Sequence, residues 1–415
     1  MALLVIYNPV CGSSSGQQIA ESQVLPLLHK HDKVPDKVVR TESSRHAGEI
    51  VVDFVKNAPP DGELTIVLVS GDGTLHDIVN ALYTYANSRE KKEKAIPQLR
   101  LVLVAGGTAN ALHSSYFPPS GLPDSSTLLS SLHSYLSPSS SLTPLTLTRT
   151  TILSPSDGEI TSIVSAVVTS TSLHASILHD AEELRPSIPS LDRFKVAAEK
   201  NATRWYHARL HLHSAPSAST LGTHAPVPSP ILQYDPTKDV FVPVVSTSSE
   251  NDSSSSQVLE LEGPFSYMLT TVNVDRLEPT FRISPLHRSH PPLSPQTTDV
   301  VVVRPLRDPS LDNESEESRS SFKAKVWGAL GGAYQDGAHV KLRYGANGEL
   351  AREGEGETVV ECFRAGGWEW IPDAEDEKAH LVCADGTIVT IPAGGKAVSR
   401  VLSSADVGFD AVVYA

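Results

Sequence analysis

Apolar and polar positions along the chain fall into two textures. Three times in the first part, an unbroken apolar run leads into a glycine-bearing turn and then into a stretch with helical spacing. ALLVIY leads into NPVCGSSSG and IAESQVLPLLHKH, LTIVLV into SGDGT and LHDIVNALYTYA, and LRLVLV into AGGTAN and ALHSSYF. Unbroken apolar runs suit strands covered on both faces. After Thr74, the residues Leu75, Ile78, Val79, Leu82 and Tyr83 keep the spacing of one helix face. Strand, glycine turn and helix in alternation predict a parallel α/β domain.

The second texture begins after a connector. Serine and proline dominate from Pro118 to Thr148, which reads as a linker with some short helix. Beyond it, ITSIVSAVVTSTSLHASI, HARLHLHS, PFSYMLTTVNV, DVVVVRPL and HVKLRYG are strand-like runs rich in valine and threonine. The expected division is an α/β domain over 1–148 and a mainly β domain over 149–415. Two low-complexity stretches, near 214–258 and 306–322, read as disordered surface insertions. The acidic runs DNESEE, EGEGE and DAEDE read as solvated loops.

Composition narrows the partners. The 415 residues carry a net charge of −14, which argues against nucleic acid or a strongly anionic membrane held by a general basic field. Cys11, Cys362 and Cys383 make no disulfide framework, so the chain reads as a cytosolic protein with reduced thiols. No apolar run approaches the roughly 18 residues of a membrane-spanning helix, and MALLVIYNP reads as a strand rather than a leader. Ala2 stands where myristoylation needs glycine, and no cysteine lies near the C-terminus for prenylation. Any membrane contact is therefore expected to be peripheral, and no obligate protein partner is evident.

The glycine turns carry the candidate chemistry. Turns at the C-terminal ends of parallel strands collect on one sheet edge, where ligands bind. Glycine lets backbone N–H groups face an anion closely, and each following helix points its positive end there. An aspartate at such a place, Asp72 between Gly71 and Gly73, would repel phosphate. It makes sense as a general base toward an attacking hydroxyl or as an orienter of Mg²⁺. A lone Gly-Asp-Gly is more often only a tight turn; three such turns in register favour a triphosphate cradle. Neither a P-loop G-x-x-x-x-G-K-[ST] nor a Rossmann G-x-G-x-x-G follows the first strand.

NPVCG (8–12), SGDGTLHDIVNAL (70–82) and AGGTANAL (105–112) resemble the three signature blocks of the diacylglycerol kinase catalytic domain superfamily. The sphingosine kinase branch fits best, through its serine-led SGDG, RTESSRHAGEI (40–50) and SLHASILHDAEELR with LDRFKVAA (172–198). The resemblance implies an α/β nucleotide domain like that of NAD kinases, then a β-sandwich enclosing lipid, with ATP and Mg²⁺ as cofactors. It implies that Asn8 and Gly12 contact ATP phosphates, that Thr41 lies near the nucleotide, and that Asp72 is the catalytic base in a turn shaped by Ser70, Gly71 and Gly73. Ser70 would also face the substrate. Asp77 stands where the family has glutamate, and Gly107, Thr108 and Asn110 would line the nucleotide. Asp180 would meet the acceptor hydroxyl, Arg185 and Arg193 the transferred phosphoryl group, and Asp385 of CADGT the adenine side.

The departures from that pattern are Val10 and Ser13 to Ser15 in place of basic residues, Ala105 in place of proline, and Thr387 in place of glutamate. His207, His211 and His213 read as exposed strand histidines rather than a metal site, and Trp368 and Trp370 as half-buried strand residues or lipid contacts. The expected function is a lipid kinase acting on a sphingoid long-chain base such as sphingosine. Its alternatives are a diacylglycerol or ceramide kinase, and a degenerate member that binds nucleotide or lipid without catalysis. The lipid acceptor is the expected partner, met by peripheral membrane contact from the cytoplasm.

Overall fold

The strands β1 (Ala2–Tyr7), β2 (Lys37–Arg40), β3 (Leu64–Ser70) and β4 (Leu99–Ala105) lie parallel in the order β2-β1-β3-β4. This is a computed structural model, which describes residues 2–57, 63–88, 95–119, 127–216, 229–244 and 257–415. Every residue of the central β3 is buried, the reason for its unbroken apolar run, whereas β2 at the edge is largely exposed. Helices His46–Asn57 and Asp72–Ser88 pack on one face of this sheet, the second through Leu75, Ile78, Val79 and Leu82. The helical stretch over 16–30 covers the opposite face with Ile19, Val24 and Leu28.

The sheet is completed from far along the chain. The last strand, Ala411–Tyr414, runs parallel to β4, and Leu142–Pro144 pairs antiparallel beyond it. The C-terminal residues therefore belong to the first sheet, although their position in the sequence assigned them to the second domain.

Between these ends lie, among the described residues, two large antiparallel sheets of eight and six strands and a small two-stranded one. Trp368 and Trp370 from the six-stranded sheet fill the space between them, against Met268, Val300, Val302 and Phe363 of the eight-stranded sheet. Both tryptophans are fully buried, and their indole N–H groups donate to Thr270 Oγ1 (3.3 Å) and the Ala379 carbonyl (2.8 Å). They are core residues rather than the half-buried positions expected of strand alternation. The other face of the eight-stranded sheet joins the core under the helix Asp72–Ser88, so Leu269 and Val301 share one cluster with Leu4 and Ile66.

Three sequence expectations need correction. The run ITSIVSAVVTSTSLHASI is strand only to Thr171; Ser172–Leu184 is a helix whose buried residues recur at helical spacing. The acidic stretch near 306–322 is not an insertion without structure, since a helix spans Glu316–Ala333, opened by Ser315 accepting the Ser318 N–H. Glu314 just before it meets His207, and the other acidic runs are tied in through Glu357–Arg307 and Asp376–His207. Within 214–258, a hairpin of Leu232–Asp235 and Val240–Pro243 is ordered, while 217–228 and 245–256 lie outside the described residues.

Candidate active site

The three glycine turns touch one another. A Cβ on Gly12 would stand 2.6 Å from the Gly106 carbonyl, and one on Gly107 would collide with the Gly71 backbone. Gly12 has φ +55°, so its turn also needs the left-handed region. The turns after β1, β3 and β4 are thus pressed together at one sheet edge with no room for side chains between them.

They form the floor of a cleft of about 900 Å³. Asn8, Gly12, Thr41, Ser70, Gly71, Gly73, Asp77, Gly107 and Thr108 all line it, so the structure brings together most of the residues singled out in the first domain. Arg185, just past the helix Ser172–Leu184, and Arg193, in the first turn of the helix Asp192–Asn201, line it as well. Local bonds fix the lining. The Asn8 carboxamide oxygen accepts the Val10 N–H (3.1 Å), and Asp77 accepts the Arg45 N–H (2.9 Å). Asn110, at φ +51°, clamps Gly107 by accepting its N–H (2.8 Å) and donating to its carbonyl (2.7 Å). Asn110 therefore shapes the third turn from behind and is not itself a cleft residue.

The two arginines differ. Arg185 is exposed and paired with Glu182 at 2.9 Å. Arg193 is buried, its Nη1 donates to the carbonyls of Pro189 and Ser190 at 3.0 Å each, and its Nε has no partner. No carboxylate pairs with Arg193 among the described residues, so its charge is available to an anion in the cleft.

Asp72 opens the helix that follows β3; its neighbours Gly71 and Gly73 line the cleft, but its own side chain does not. Its carboxylate turns toward the third turn, accepting the N–H groups of Ala111 (2.7 Å) and Leu112 (3.2 Å) at the start of the next helix. Burial pushes this acid up, those two hydrogen bonds pull it down, and the nearby charge of Asp385 pushes it up again, to about 6. Asp385 lies in a turn at φ +46° and accepts three N–H groups, from Ala166 (2.7 Å), Val167 (3.1 Å) and Val168 (2.8 Å). The DGT turn of the second unit therefore lies close enough for its charge to be felt at Asp72.

Asp180 is not brought to the cleft. It sits in the middle of a helix, buried, with Lys378 (2.6 Å), Lys200 (3.0 Å), Asn201 (2.9 Å) and His179 (3.0 Å) around its carboxylate. Burial alone would raise it, but these partners hold it well below the usual carboxylate range. The helix begins at Ser172, so Asp180 lies well inside it, away from the acceptor position that the resemblance implied.

Sequence reasoning passed over two residues of the SGDGTLHDIVNAL block. Asn80 exchanges two hydrogen bonds with the Val164 backbone, at 2.8 and 2.9 Å. His76 lies 3.4 Å from Asp385 and 3.2 Å from Thr387. Their only signal was a polar side chain one helical turn apart amid buried apolar positions. His207, His211 and His213 do face carboxylates, Glu314 and Asp376, Glu260, and Glu369 respectively, across neighbouring segments.

These turns match a known domain: residues 2–135 fit the model of the diacylglycerol kinase catalytic domain. Residues 2–135 belong to that family. Over 127 residues the chain is 36% identical to sphingosine kinase 1 of Arabidopsis thaliana, covering 30% of this chain and 24% of that one. Over 114 residues it is 34% identical to mouse sphingosine kinase 1, covering 27% of each. The chain thus matches only about a quarter of the length of these relatives. A structure from Bacillus anthracis, assigned as a diacylglycerol kinase candidate, shares the fold over 99% of this chain and 95% of its own, with a TM-score of 0.51 at 14% identity. The α/β fold of this family is therefore the fold of the chain.

A diacylglycerol kinase catalytic domain over residues 2–135 implies nucleotide- and metal-dependent chemistry in general. Among the described residues, the side chains close enough to share one ion are His179, Asp180 and Glu183, and Asp180 there is already matched by two lysines. Asp72 and Asp385 have their oxygens on backbone N–H groups. The described residues make no preformed Mg²⁺ cage. That suits an ion carried largely by nucleotide phosphates and water.

Proposed function

We propose that this protein is an ATP-dependent lipid kinase that phosphorylates the hydroxyl of a sphingoid long-chain base such as sphingosine. The observation that carries the reading is the convergence of three strand-end glycine turns on one cleft that Arg185 and Arg193 also line. The sphingosine kinases among its relatives support the acceptor class. In this reading the parallel unit holds the nucleotide, as in NAD kinases, and the two-sheet unit serves the lipid. Asn8, Gly12, Thr41, Asp77, Gly107 and Thr108 line the nucleotide, with Asn110 holding Gly107 in shape. Bound Mg²⁺ would neutralise phosphate charge.

Asp72 takes the proton of the acceptor hydroxyl, beside Ser70. The hydroxyl oxygen then forms its bond to the γ-phosphorus as the bond to ADP breaks. An acid with a pKa of about 6 is ionised at neutral pH yet more basic than a solvated aspartate, which suits that task. Arg193 and Arg185 offset the charge on the moving phosphoryl group. Asp385 acts on Asp72, by raising its basicity, rather than on the adenine side, and Asp180 anchors the helix that delivers Arg185. The protein would work in the cytoplasm and touch membrane peripherally to reach its lipid; no helix among the described residues is long and apolar enough to cross one.

One observation favours a neutral acceptor, diacylglycerol or ceramide, as the second reading: Lys378 and Lys200 already match the Asp180 carboxylate that would have met a lipid amine. Purified protein, labelled ATP and a panel of sphingosine, ceramide and diacylglycerol test both. Label on sphingosine supports the first reading and label on a neutral lipid alone the second. ATP bound with no label on any lipid returns the protein to the non-catalytic alternative.

A further inference from the structure

His76 and Asn80 occupy one face of the helix Asp72–Ser88, one turn apart. Both reach out of the first unit. Asn80 pairs with the backbone of Val164, at the end of the strand Glu159–Ser165. His76 is buried and stands between two residues of the DGT turn: its Nδ1 is 3.4 Å from Asp385 Oδ2 and its Nε2 is 3.2 Å from Thr387 Oγ1. The Nε2–Thr387 contact is a hydrogen bond in which the hydroxyl can donate to the ring, while the Asp385 carboxylate lies against Nδ1 as an electrostatic contact and Asn80 Nδ2 stands 3.3 Å from the same nitrogen. The ring thus touches both residues of the turn at once.

Asp385 is the hub of this junction. Besides His76 it receives the N–H groups of Ala166, Val167 and Val168, the turn between two strands of the second unit. Asp72, on the first turn of the same helix as His76, is itself fixed by Ala111 and Leu112. Two carboxylates held by separate turns can keep a constant spacing only if the turns are tied together. The helix bearing Asp72 supplies that tie through His76.

We propose that His76 is a positioning residue: by bridging Asp385 and Thr387 it locks the second unit's DGT turn to the helix bearing Asp72, and so holds Asp385 in place beside Asp72. The departure of Thr387 from the family's glutamate fits this arrangement. A hydroxyl is the right partner for an accepting imidazole nitrogen, whereas an ionised carboxylate there would demand a second proton on the ring. The catalytic consequence rests on the kinase reading above; the structural consequence does not.

The test therefore has two arms, applied to His76→Ala, His76→Asn and the milder Thr387→Val. The first arm is hydrogen exchange at the amides of Ala166, Val167 and Val168, which donate to Asp385. His76→Ala should speed their exchange by about threefold to tenfold, the worth of one ordinary polar contact. His76→Asn keeps an N–H for Asp385 and should restore most of the protection, and Thr387→Val should give a smaller change in the same direction. Unchanged exchange in His76→Ala, or equal loss in His76→Asn, would overturn the proposal. The second arm is phosphotransfer kinetics. His76→Ala should lower kcat by about tenfold or more while the KM for ATP moves less than about twofold, because the cleft lining is untouched. Faster exchange with an unaltered kcat would overturn the link to Asp72. Failure of the wild-type chain to phosphorylate any lipid would sink the kinase reading and leave the exchange arm to decide the latch.

Discussion

Asp72 and Asp385 come from opposite ends of the chain, yet each is gripped by backbone N–H groups and the charge of one is felt by the other. Burial first, then the Asp385 charge, lifts Asp72 to about 6 against the pull of its two hydrogen bonds. If Asp72 is the base, kcat/KM must fall as pH drops through about 6. Asp385→Asn removes the like charge and should move that acidic limb to lower pH. A pH–rate profile whose acidic limb stays put in Asp385→Asn would show that the two acids do not communicate.

The same shift makes a stability statement. The folded pKa of Asp72 lies above its ordinary 3.8, so its contribution to stability is full below that value and is lost as pH rises through about 6. Keeping Asp72 ionised at neutral pH is a cost to the fold. Asp72→Asn forfeits one of those two N–H contacts at every pH, but relative to wild type it should gain on the order of 1–3 kcal/mol between about pH 3 and about pH 8. Its turnover should fall on the order of 10² to 10⁴-fold. Paired melts and rate assays check both; a variant that gains nothing between those pH values and is equally active would remove Asp72 from the role.

The α/β unit was legible because β3 and β4 are buried on both faces and their sequences show nothing but that. The cleft floor was legible too, since strand, glycine turn and helix in repeat dictate where turns gather. Asp180 was not. Whether a helical aspartate meets solvent, ligand or lysine depends on Lys378, far away in sequence, and no local spacing records that contact. The helix at Glu316–Ala333 was hidden for a related reason: its serines and charges lower local hydrophobicity, while Phe322 and Val326 bury against a distant core. His76 escaped notice because its partners, Asp385 and Thr387, arrive only when the second unit docks.

For Asp180 the structure predicts a stability defect rather than a substrate defect. Asp180→Asn leaves Lys378 facing a neutral group in a mostly buried position, while the exposed Lys200 matters little. The loss should be about 2–4 kcal/mol at neutral pH. Because the folded pKa is depressed, this stabilisation is present above the ordinary carboxylate pKa and fades as pH falls below it. Denaturant unfolding at about pH 7 and about pH 3 should show a large gap between wild type and variant at the first and a narrowed one at the second. Equal stability at pH 7 with selective loss on amine-bearing lipids would restore the substrate role.

The two cleft arginines should separate in binding assays. Arg193 is buried without a carboxylate partner, and Arg185 already has Glu182. Arg193→Met keeps much of the stem and removes a charge whose field is little screened, so ATP affinity or kcat should drop by about tenfold or more. Arg185→Ala should cost less, and its effect should shrink in high salt. Titration calorimetry with ATP, repeated at two ionic strengths, ranks them; equal and salt-sensitive losses would mean that Arg193 is not shielded when nucleotide enters.

Glycine positions offer a way to tell what the fold requires from what a ligand requires. At Gly107 a Cβ would collide with the Gly71 backbone, so Gly107→Ala must push two turns apart whether or not anything is bound. It should lower the melting temperature and abolish nucleotide binding together. Gly73 is different. It lies in the first turn of the helix opened by Asp72, is exposed, and a Cβ added there would meet no atom within 4 Å. The folded chain alone does not need glycine there, and alanine is the better helix former by about 1 kcal/mol. Gly73→Ala should thus fold as well as wild type or slightly better. If the cleft takes phosphates against its backbone, the added methyl group stands where the ligand must approach, and ATP affinity should fall about tenfold or more despite the intact fold. Melting curves and ATP titrations on the same preparation separate the two effects. Unimpaired ATP binding in Gly73→Ala would place the phosphates elsewhere in the cleft, toward Asn8 and Thr41.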